Sequence, residues 1–283
     1  MTVAAERLPE RRTRPMGTRV WDAVREHSLT VFAVLALAYL MLPIAIVILF
    51  SFNDPAGRFN YTWQGFSLDA WANPFAFPGL QDAVELSLVI ATLSALVATA
   101  LGTLIALALV RYNFRGRGTT NLFIFLPMAT PEIVLGASLL TLFLNYSFPL
   151  GFGTILIAHI MFNISYVVVT VRARLTGFDR HLEEAAMDLG ATPLVTFARV
   201  TLPLIAPGII AGGLLAFALS VDDFVITYLV SGAETTFPLF VWGAARVQLP
   251  PQINVIGTAI FTVAIFLMVV NVLVQWRRTP RRA

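Results

Sequence analysis

Six long apolar stretches constrain the fold of this chain more than any other feature. They occupy residues 29–52, 83–110, 121–144, 150–171, 204–224 and 253–276. Each is close to the roughly 20 mostly apolar residues that a helix needs to cross the hydrocarbon core of a bilayer. Inside lipid every backbone N–H and C=O group must be paired, which favours a helix for each stretch. The sequence therefore predicts an all-α, polytopic membrane protein with six transmembrane helices.

The amino-acid composition excludes a soluble globular domain. Of the 283 residues, 58% are hydrophobic and only 12% are charged, and the mean hydropathy is +0.79. The sequence contains no cysteine and no lysine, which excludes disulfides, thiolate metal sites and a phosphate-binding glycine loop that ends in lysine. A His-Glu-x-x-His motif is also absent from the sequence. We therefore expect neither a metal nor a cofactor in this chain.

The arginines predict how the chain is oriented in the membrane. All 19 basic residues are arginine, and in a six-span chain all but Arg58 and Arg246 fall on one side. That side carries both termini and the connection between the fourth and fifth spans. The positive-inside rule therefore predicts that these segments are cytoplasmic. We divide the chain into an amino-terminal tail at 1–28, one membrane domain at 29–276 and a carboxyl-terminal tail at 277–283.

The amino-terminal arginines have two other interpretations, a signal peptide and a nucleic-acid-binding arm. The first apolar run is too long for a signal peptide and is not followed by a convincing small-residue cleavage site. The pI of 9.7 is explained by arginines that flank membrane spans. We therefore predict a retained first span and no nucleic-acid partner. The aromatic-rich outer loop at 53–80 suits the membrane interface, and reception of a binding protein is the alternative.

A polar segment interrupts the apolar pattern between the fourth and fifth spans. Alanines offer a small-residue face to a partner, and a glycine after them suits a left-handed helix end. Pro193 then fits the start of a new helix. An ordinary amphipathic connector is the alternative interpretation. The segment contains Glu184, Ala185, Ala186, Met187, Asp188, Leu189 and Gly190, and it continues to Leu202 and Pro203.

This segment resembles the EAA loop of bacterial ABC-importer permeases, which are membrane subunits driven by a separate ATPase. The resemblance implies a type I ABC importer permease fold with a cytoplasmic coupling loop at 172–203. It also implies a pair of ATP-binding subunits that carry ATP and Mg, a second homologous permease and an extracytoplasmic solute-binding protein, all at a bacterial inner membrane. The residues implied in coupling to the ATPase are Glu184, Ala185, Ala186, Asp188, Gly190, Leu202 and Pro203.

Ionisable groups within the apolar stretches are costly and are functional candidates by default, and three of the acidic residues there are candidates for a pathway. Glu132 follows Pro131, about 17 Å along a straight helix from Asn121. Asp222 and Asp223 lie about 27 Å along a helix from residue 204, towards the outer face. Adjacent helical residues point about 100° apart, so we expect one aspartate to face a pathway while the other caps or pairs. A structural role on a neighbouring helix is the alternative for Glu132.

Further segments resemble the spermidine/putrescine permease subunits, and the similarity runs over about residues 42–270. The resemblance implies a polyamine cargo, which carboxylates and aromatic rings bind through charge pairing and cation–π contacts. Tyr228 and Trp242 are candidate aromatic neighbours of the pathway. Members with similar loops carry other small solutes, so another cargo stays open. The matching segments are Arg111 to Gly116, Thr130 to Val134, Val169 to Asp179 and Ser220 to Val225.

Two other functions compete with an importer. In a passive channel or an ion-coupled transporter, Glu132 would be a proton or cation site and the chain would work without an ATPase. In an intramembrane enzyme, Ser138 and His159 would form a serine–histidine dyad. Small polar residues commonly bond across membrane helices, so we expect His159 and Asn163 to do so. The sequence favours a transport subunit that is not itself an enzyme.

Overall fold

The computed structural model of the chain describes residues 16–278, with side chains over 27–266, 268–270 and 273. Within these residues the chain is helical apart from loops and isolated bridge residues, which include the antiparallel bridge between Asn53 and Phe66. Residues 1–15 and 279–283, which belong to the two predicted tails, lie outside the described residues. The described part of the chain forms two compact units.

The first unit, within residues 16–74 and 251–278, contains α1 (Met16–Phe50), α2 (Asp69–Ala72) and α12 (Pro251–Arg278). Helix α12 packs against α1 and α2. The predicted tail boundary at residue 28 falls inside α1. A buried amide organises the loop after α1: Asn53 Nδ2 donates to Asn60 Oδ1 at 2.6 Å, and Asn53 Oδ1 accepts from the backbone N–H of Gln64 at 2.8 Å.

The second unit, residues 75–250, holds the remaining elements. Helices α3, α6 and α9 pack closely on one another, and their buried side chains include Ala98, Val167, Val171 and Ile205. The elements are α3 (Leu80–Arg111), α4 (Arg117–Ala129), α5 (Glu132–Asn145), α6 (Phe152–Thr176), α7 (His181–Asp188), α8 (Pro193–Thr196), a π-helical turn (Phe197–Thr201), α9 (Leu202–Asp222), α10 (Val225–Val230) and α11 (Phe237–Val247).

Five helices of the described chain are long and apolar enough to cross a membrane, and a bent pair brings the number to as many as six. The predicted all-α membrane architecture is therefore confirmed. The five are His27–Phe50, Leu80–Arg111, Phe152–Thr176, Pro193–Asp222 and Pro251–Val270.

The stretch at 121–144 is not a straight span. The chain bends by 109° between its two halves, α4 and α5. Thr130 between them is extended, with φ −83° and ψ 134°, because the proline that follows disfavours the helical region and lacks the N–H of a helix ladder. The depth of about 17 Å predicted for Glu132 by the straight-helix rise therefore does not hold.

Close approach of α3 to α6 depends on a glycine. A Cβ atom placed on Gly102 would lie 2.7 Å from Val167 Cγ1 and 3.3 Å from the backbone oxygen of Ile164. Small residues let membrane helices approach each other closely. This matters in lipid, because no hydrophobic effect drives the helices together there. Gly212 of α9 faces Val167 as well: a Cβ atom placed on Gly212 would lie 3.5 Å from Val167 Cγ1.

We predict that Gly102→Ala destabilises the protein, because the added methyl group overpacks the α3–α6 contact. The expected loss is about 1–3 kcal/mol of unfolding free energy, seen as a lower midpoint in thermal unfolding of the purified protein in detergent. Gly153→Ala is the matched control, since nothing lies within 4 Å of a Cβ at that position. Equal midpoints for the two variants would contradict the packing argument.

Candidate functional site

The predicted coupling residues fall on a short helix that ends at a glycine. Helix α7 carries Glu184, Ala185, Ala186 and Asp188, and Gly190 follows with φ +88°. The N–H of Gly190 donates to the backbone oxygen of Met187 at 2.9 Å. The left-handed helix end predicted for Gly190 is confirmed.

The chain then starts a second helix where proline predicted it. Pro193 is the first residue of α8, and the side chain of Thr192 accepts a hydrogen bond from the N–H of Val195 at 3.4 Å. Leu202 and Pro203 begin α9 directly after the π-helical turn. The two parts of the coupling motif therefore lie on separate elements.

The predicted coupling loop exposes large apolar side chains. Leu189 is 90% exposed and Leu194 is 77% exposed. Glu184, Ala185 and Asp188 are exposed too, and Ala186 is half-buried. Apolar side chains exposed beside polar ones on a short loop are typical of a protein interaction site.

Arginines fasten this loop to the surrounding helices. Arg111, the last residue of α3, forms an ion pair with Glu183 of α7, and its Nη2 lies 3.3 Å from Thr201 Oγ1. Arg180 donates from Nη2 to the backbone oxygen of Val110 at 3.0 Å. Neither the orientation rule nor the family resemblance predicts these contacts, and Glu183 is not singled out, because one sequence does not show which of two adjacent glutamates points inward.

Two more arginines lie near the carboxyl-terminal end of α6 and contact neighbouring helices. Arg172 donates to Asn121 Oδ1 of α4 at 2.8 Å. Arg174 donates from Nε to the backbone oxygen of Leu204 in α9 at 3.2 Å. The arginines that predict a cytoplasmic end therefore also make tertiary contacts among five helices, α3, α4, α6, α7 and α9.

An exposed pair lies at the start of α7. His181 Nδ1 lies 2.7 Å from Asp179 Oδ1, which also accepts from the backbone N–H of His181. This hydrogen bond lowers the pKa of Asp179 and raises the pKa of His181. The pair's contribution to stability is therefore lost as pH rises through the pKa of His181 or falls through that of Asp179.

The two adjacent aspartates have different environments. The Asp223 side chain is 7% exposed, and its Oδ2 accepts from the backbone N–H and the hydroxyl of Thr227 at 2.8 and 2.6 Å. Asp222 is exposed at the end of α9. Asp223 therefore caps α10, and its placement inside the protein does not fit a pathway-lining role.

Asp223 belongs to a buried polar network. His159 Nε2 lies 3.3 Å from Asp223 Oδ2 and 2.9 Å from Thr227 Oγ1, and His159 Nδ1 lies 2.6 Å from Ser220 Oγ. His159 thus bonds across helices as expected. Its partner is not Ser138, whose hydroxyl donates to the backbone oxygen of Val134 at 2.7 Å.

Asn163 departs from that expectation. Its side chain is fully buried, and neither polar atom has a hydrogen-bond partner within the described part of the chain. The predicted bond between helices is therefore absent for Asn163.

The remaining pathway candidates are exposed. Glu132 is the first residue of α5, directly after the bend. Tyr228 and Trp242 are 60% and 48% exposed. Both rings contact Phe224: Tyr228 is stacked on it at a centroid distance of 5.7 Å, and Trp242 is tilted against it at 5.3 Å. The Arg246 guanidinium lies 4.5 Å from the Trp242 ring centroid. The structure therefore brings the two predicted aromatic residues together through Phe224.

Both aromatic residues line an open groove of about 700 Å³ on α10, α11 and the segment between them. Glu234 contributes a carboxylate to this groove, and sequence analysis missed it because it lies outside the apolar stretches. Phe77, Phe240 and Gln248 also line it. Aromatic walls with one carboxylate are suited to an organic cation.

Comparison with protein families places most of the chain in one of them. Residues 98–278 match the family described as binding-protein-dependent transport system inner membrane component. The spermidine/putrescine transport system permease protein PotC of Escherichia coli (strain K12) is 38% identical over 243 residues, which are 86% of this chain and 91% of PotC. The putrescine transport system permease protein PotI of the same strain is 40% identical over 245 residues, 84% of this chain and 86% of PotI. The chain is homologous to these permeases.

Solved structures share the fold at low sequence identity. A bacterial ABC transporter involved in the import of the acidic polysaccharide alginate gives a TM-score of 0.61 at 21% identity, over 94% of this chain and 99% of that one. An alginate transporter in complex with its pentasaccharide-bound periplasmic protein gives 0.62 at 16% identity, over 89% and 96%. The predicted ABC importer permease fold is confirmed.

We predict that Asp223→Ala destabilises the protein more than Asp222→Ala does. Removing the buried carboxylate leaves the N–H of Thr227 without its acceptor and takes one of its three partners from His159, at a cost of about 1–3 kcal/mol. Loss of the exposed Asp222 carboxylate is expected to change stability by less than about 0.5 kcal/mol. Thermal unfolding of both variants in detergent measures the difference, and a larger loss for Asp222→Ala would refute this assignment.

Proposed function

The chain belongs to the family of binding-protein-dependent transport system inner membrane components, and we propose that it is the permease subunit of an ATP-driven importer of a linear polyamine. The observation that carries the coupling half of this proposal is the loop around α7. It exposes Leu189 and Leu194 to a partner, while Arg111 and Arg180 tie it to α3.

The proposed partner of this loop is a pair of ATP-binding subunits, which carry ATP and Mg. The positive-inside rule puts the loop and both termini in the cytoplasm. A second, homologous permease completes the pathway, and an extracytoplasmic solute-binding protein delivers the cargo. The residues that couple the permease to the ATPase in this proposal are Glu184, Ala185, Ala186, Asp188 and Gly190, with Leu202 and Pro203 at the start of the next span.

Transport in this proposal is by alternating access. ATP binding closes the two ATPase subunits, which displaces α7 and opens the pathway outward to receive cargo. Hydrolysis then resets the pathway inward. Such a cycle needs a loop that moves as a rigid body with the membrane helices, and the arginine contacts of α7 meet this requirement.

The proposed cargo follows from the relatives and from the groove. PotC and PotI are named as spermidine/putrescine and putrescine permeases. The groove is lined by Glu234 together with Tyr228 and Trp242, and the exposed Asp222 and Glu132 add two further candidate sites. A linear polycation is attracted both by carboxylates and by the faces of aromatic rings.

The fold by itself does not support this choice of cargo, because a transporter with the same fold is involved in import of an acidic polysaccharide. Another small solute carried by the same mechanism is therefore the second candidate. A panel of amines, compared with neutral and acidic solutes for stimulation of ATP hydrolysis through the binding protein, separates the two candidates.

We predict that spermidine or putrescine uptake into vesicles requires ATP, the ATPase subunits and the binding protein together with this chain and its permease partner. The measurement is uptake of labelled polyamine by the complete reconstituted complex, with each component omitted in turn. Uptake by this chain alone under an ion gradient would instead establish an ion-coupled transporter or channel.

We predict that Gly190→Val leaves membrane insertion intact but abolishes coupling. Valine is strongly disfavoured at φ +88°, so the turn after α7 changes and the exposed loop loses its shape. ATP hydrolysis then no longer drives uptake in vesicles. Gly118→Val is the matched control, because nothing lies within 4 Å of a Cβ there and the backbone is helical. Unchanged ATP-driven uptake in Gly190→Val would count against a coupling role.

A further inference from the structure

Within α7, one acidic side chain points inward. The Glu183 side chain is 16% exposed, whereas its neighbour Glu184 and Asp188 at the end of the helix are exposed. Residues 183 and 184 are separated by about 100° around a helix, so they face different surroundings. Glu183 therefore cannot share the outward role proposed for Glu184.

Glu183 joins three elements that are far apart in the sequence. Its Oε1 accepts from Arg111 Nη2 at the end of α3 and from the hydroxyl of Thr201. Thr201 is fully buried at the end of the π-helical turn, directly before α9. Arg111 Nη2 also lies 3.3 Å from Thr201 Oγ1, so the three side chains form a closed triangle, which we call the Arg111–Glu183–Thr201 joint.

The surroundings make this joint stronger than a surface ion pair. The Arg111 side chain is 27% exposed and the Glu183 side chain 16% exposed, so water screens the pair only in part. The carboxylate accepts from a charged donor and from a hydroxyl at once, and such charge-assisted bonds are short and strong. A second contact, from Arg180 to the backbone oxygen of Val110, connects the start of α7 to the same end of α3.

The alternative mechanical path from α7 to the membrane helices is the backbone itself. On one side it runs through the turn at 177–180, and on the other through Gly190 and the π-helical turn. Non-helical turns absorb displacement, and π-helical turns in longer helices are frequent at functional sites. A side-chain joint shortens this path, because it connects α7 directly to α3 and to Thr201, the last residue of the π-helical turn, after which α9 begins.

We propose that the Arg111–Glu183–Thr201 joint transmits the movement of α7 to α3 and α9, and that Glu183 is the positioning residue of this transmission. This inference rests on the proposed function. It assigns the two adjacent glutamates different tasks: Glu184 faces the ATPase, and Glu183 holds the membrane helices. Since α3, α6 and α9 pack on one another, a displacement delivered to α3 and α9 reaches the whole packed group.

The test uses the complete reconstituted complex and measures ATP hydrolysis and polyamine uptake in the same vesicles. In Glu183→Gln the joint loses its charge while the exposed surface of α7 is unchanged. We expect co-purification of the ATPase and basal ATP hydrolysis to stay normal, while polyamine taken up per ATP falls about tenfold, as for loss of a coupling energy of ordinary size. Glu85→Gln, an exposed residue bonded to Gln81 on α3, is the matched control and is expected to retain normal uptake per ATP.

Two combined variants test whether the residues act as a unit. Arg111→Gln with Glu183→Gln is expected to lower uptake per ATP no further than either single change, because both remove the same contact. The reversed pair, Arg111→Glu with Glu183→Arg, is expected to restore a large part of the loss. Additive losses in the double variant would overturn the joint.

Two results for Glu183→Gln would overturn the proposed transmission. Normal uptake per ATP in Glu183→Gln would overturn the proposal, and so would loss of ATPase association, which would place Glu183 in the docking surface. If Glu183→Gln is too unstable to be purified, the reversed pair decides: recovered uptake per ATP supports the joint, and an assembled but uncoupled complex contradicts it. Failure of the unvaried complex to use ATP for uptake would instead refute the proposed function, so the two failures are distinguishable.

Discussion

The mutual packing of α3, α6 and α9 is the constraint on which the rest of the second unit depends. Helices in lipid gain little from leaving water, so close contact has to come from small residues and from polar bonds between helices. Gly102 supplies the close approach of α3 to α6, where any Cβ would overlap Val167. Gly212 lets α9 approach the same side chain. An element that is bonded to one of these helices is therefore held in position relative to all three.

Polar side chains hold this group together at two levels. Towards one end of the bundle, His159 joins α6 to Ser220 of α9 and to Thr227 of α10. At the other end, arginines tie α6 to α4 and α9, and α3 to α7. Buried polar groups are costly unless they are bonded, which explains why His159, Ser220 and Thr227, all buried, are paired with one another. The arginine distribution that indicates topology is thus also the set of contacts that makes the coupling loop part of the bundle.

Two adjacent acidic pairs show how far a sequence can be interpreted. For Asp222 and Asp223, helical geometry predicts that one faces outward and the other caps or pairs, and the structure has this arrangement. Glu183 and Glu184 divide in the same way on α7. Helical geometry predicts that the two neighbours face different sides. Which of them turns inward depends on a distant partner: His159 is 64 residues from Asp223, and Arg111 is 72 residues from Glu183.

The sequence by itself determined the features that depend on local chemistry. Apolar length required membrane helices, Gly190 and Pro193 set the ends of the helices in the coupling loop, and Pro131 broke the third stretch. The tertiary structure alone decided the 109° angle of that break, the inward position of Glu183 and the groove that brings Glu234 to Tyr228 and Trp242. These depend on contacts between distant segments, and a single sequence carries no record of which distant residues meet.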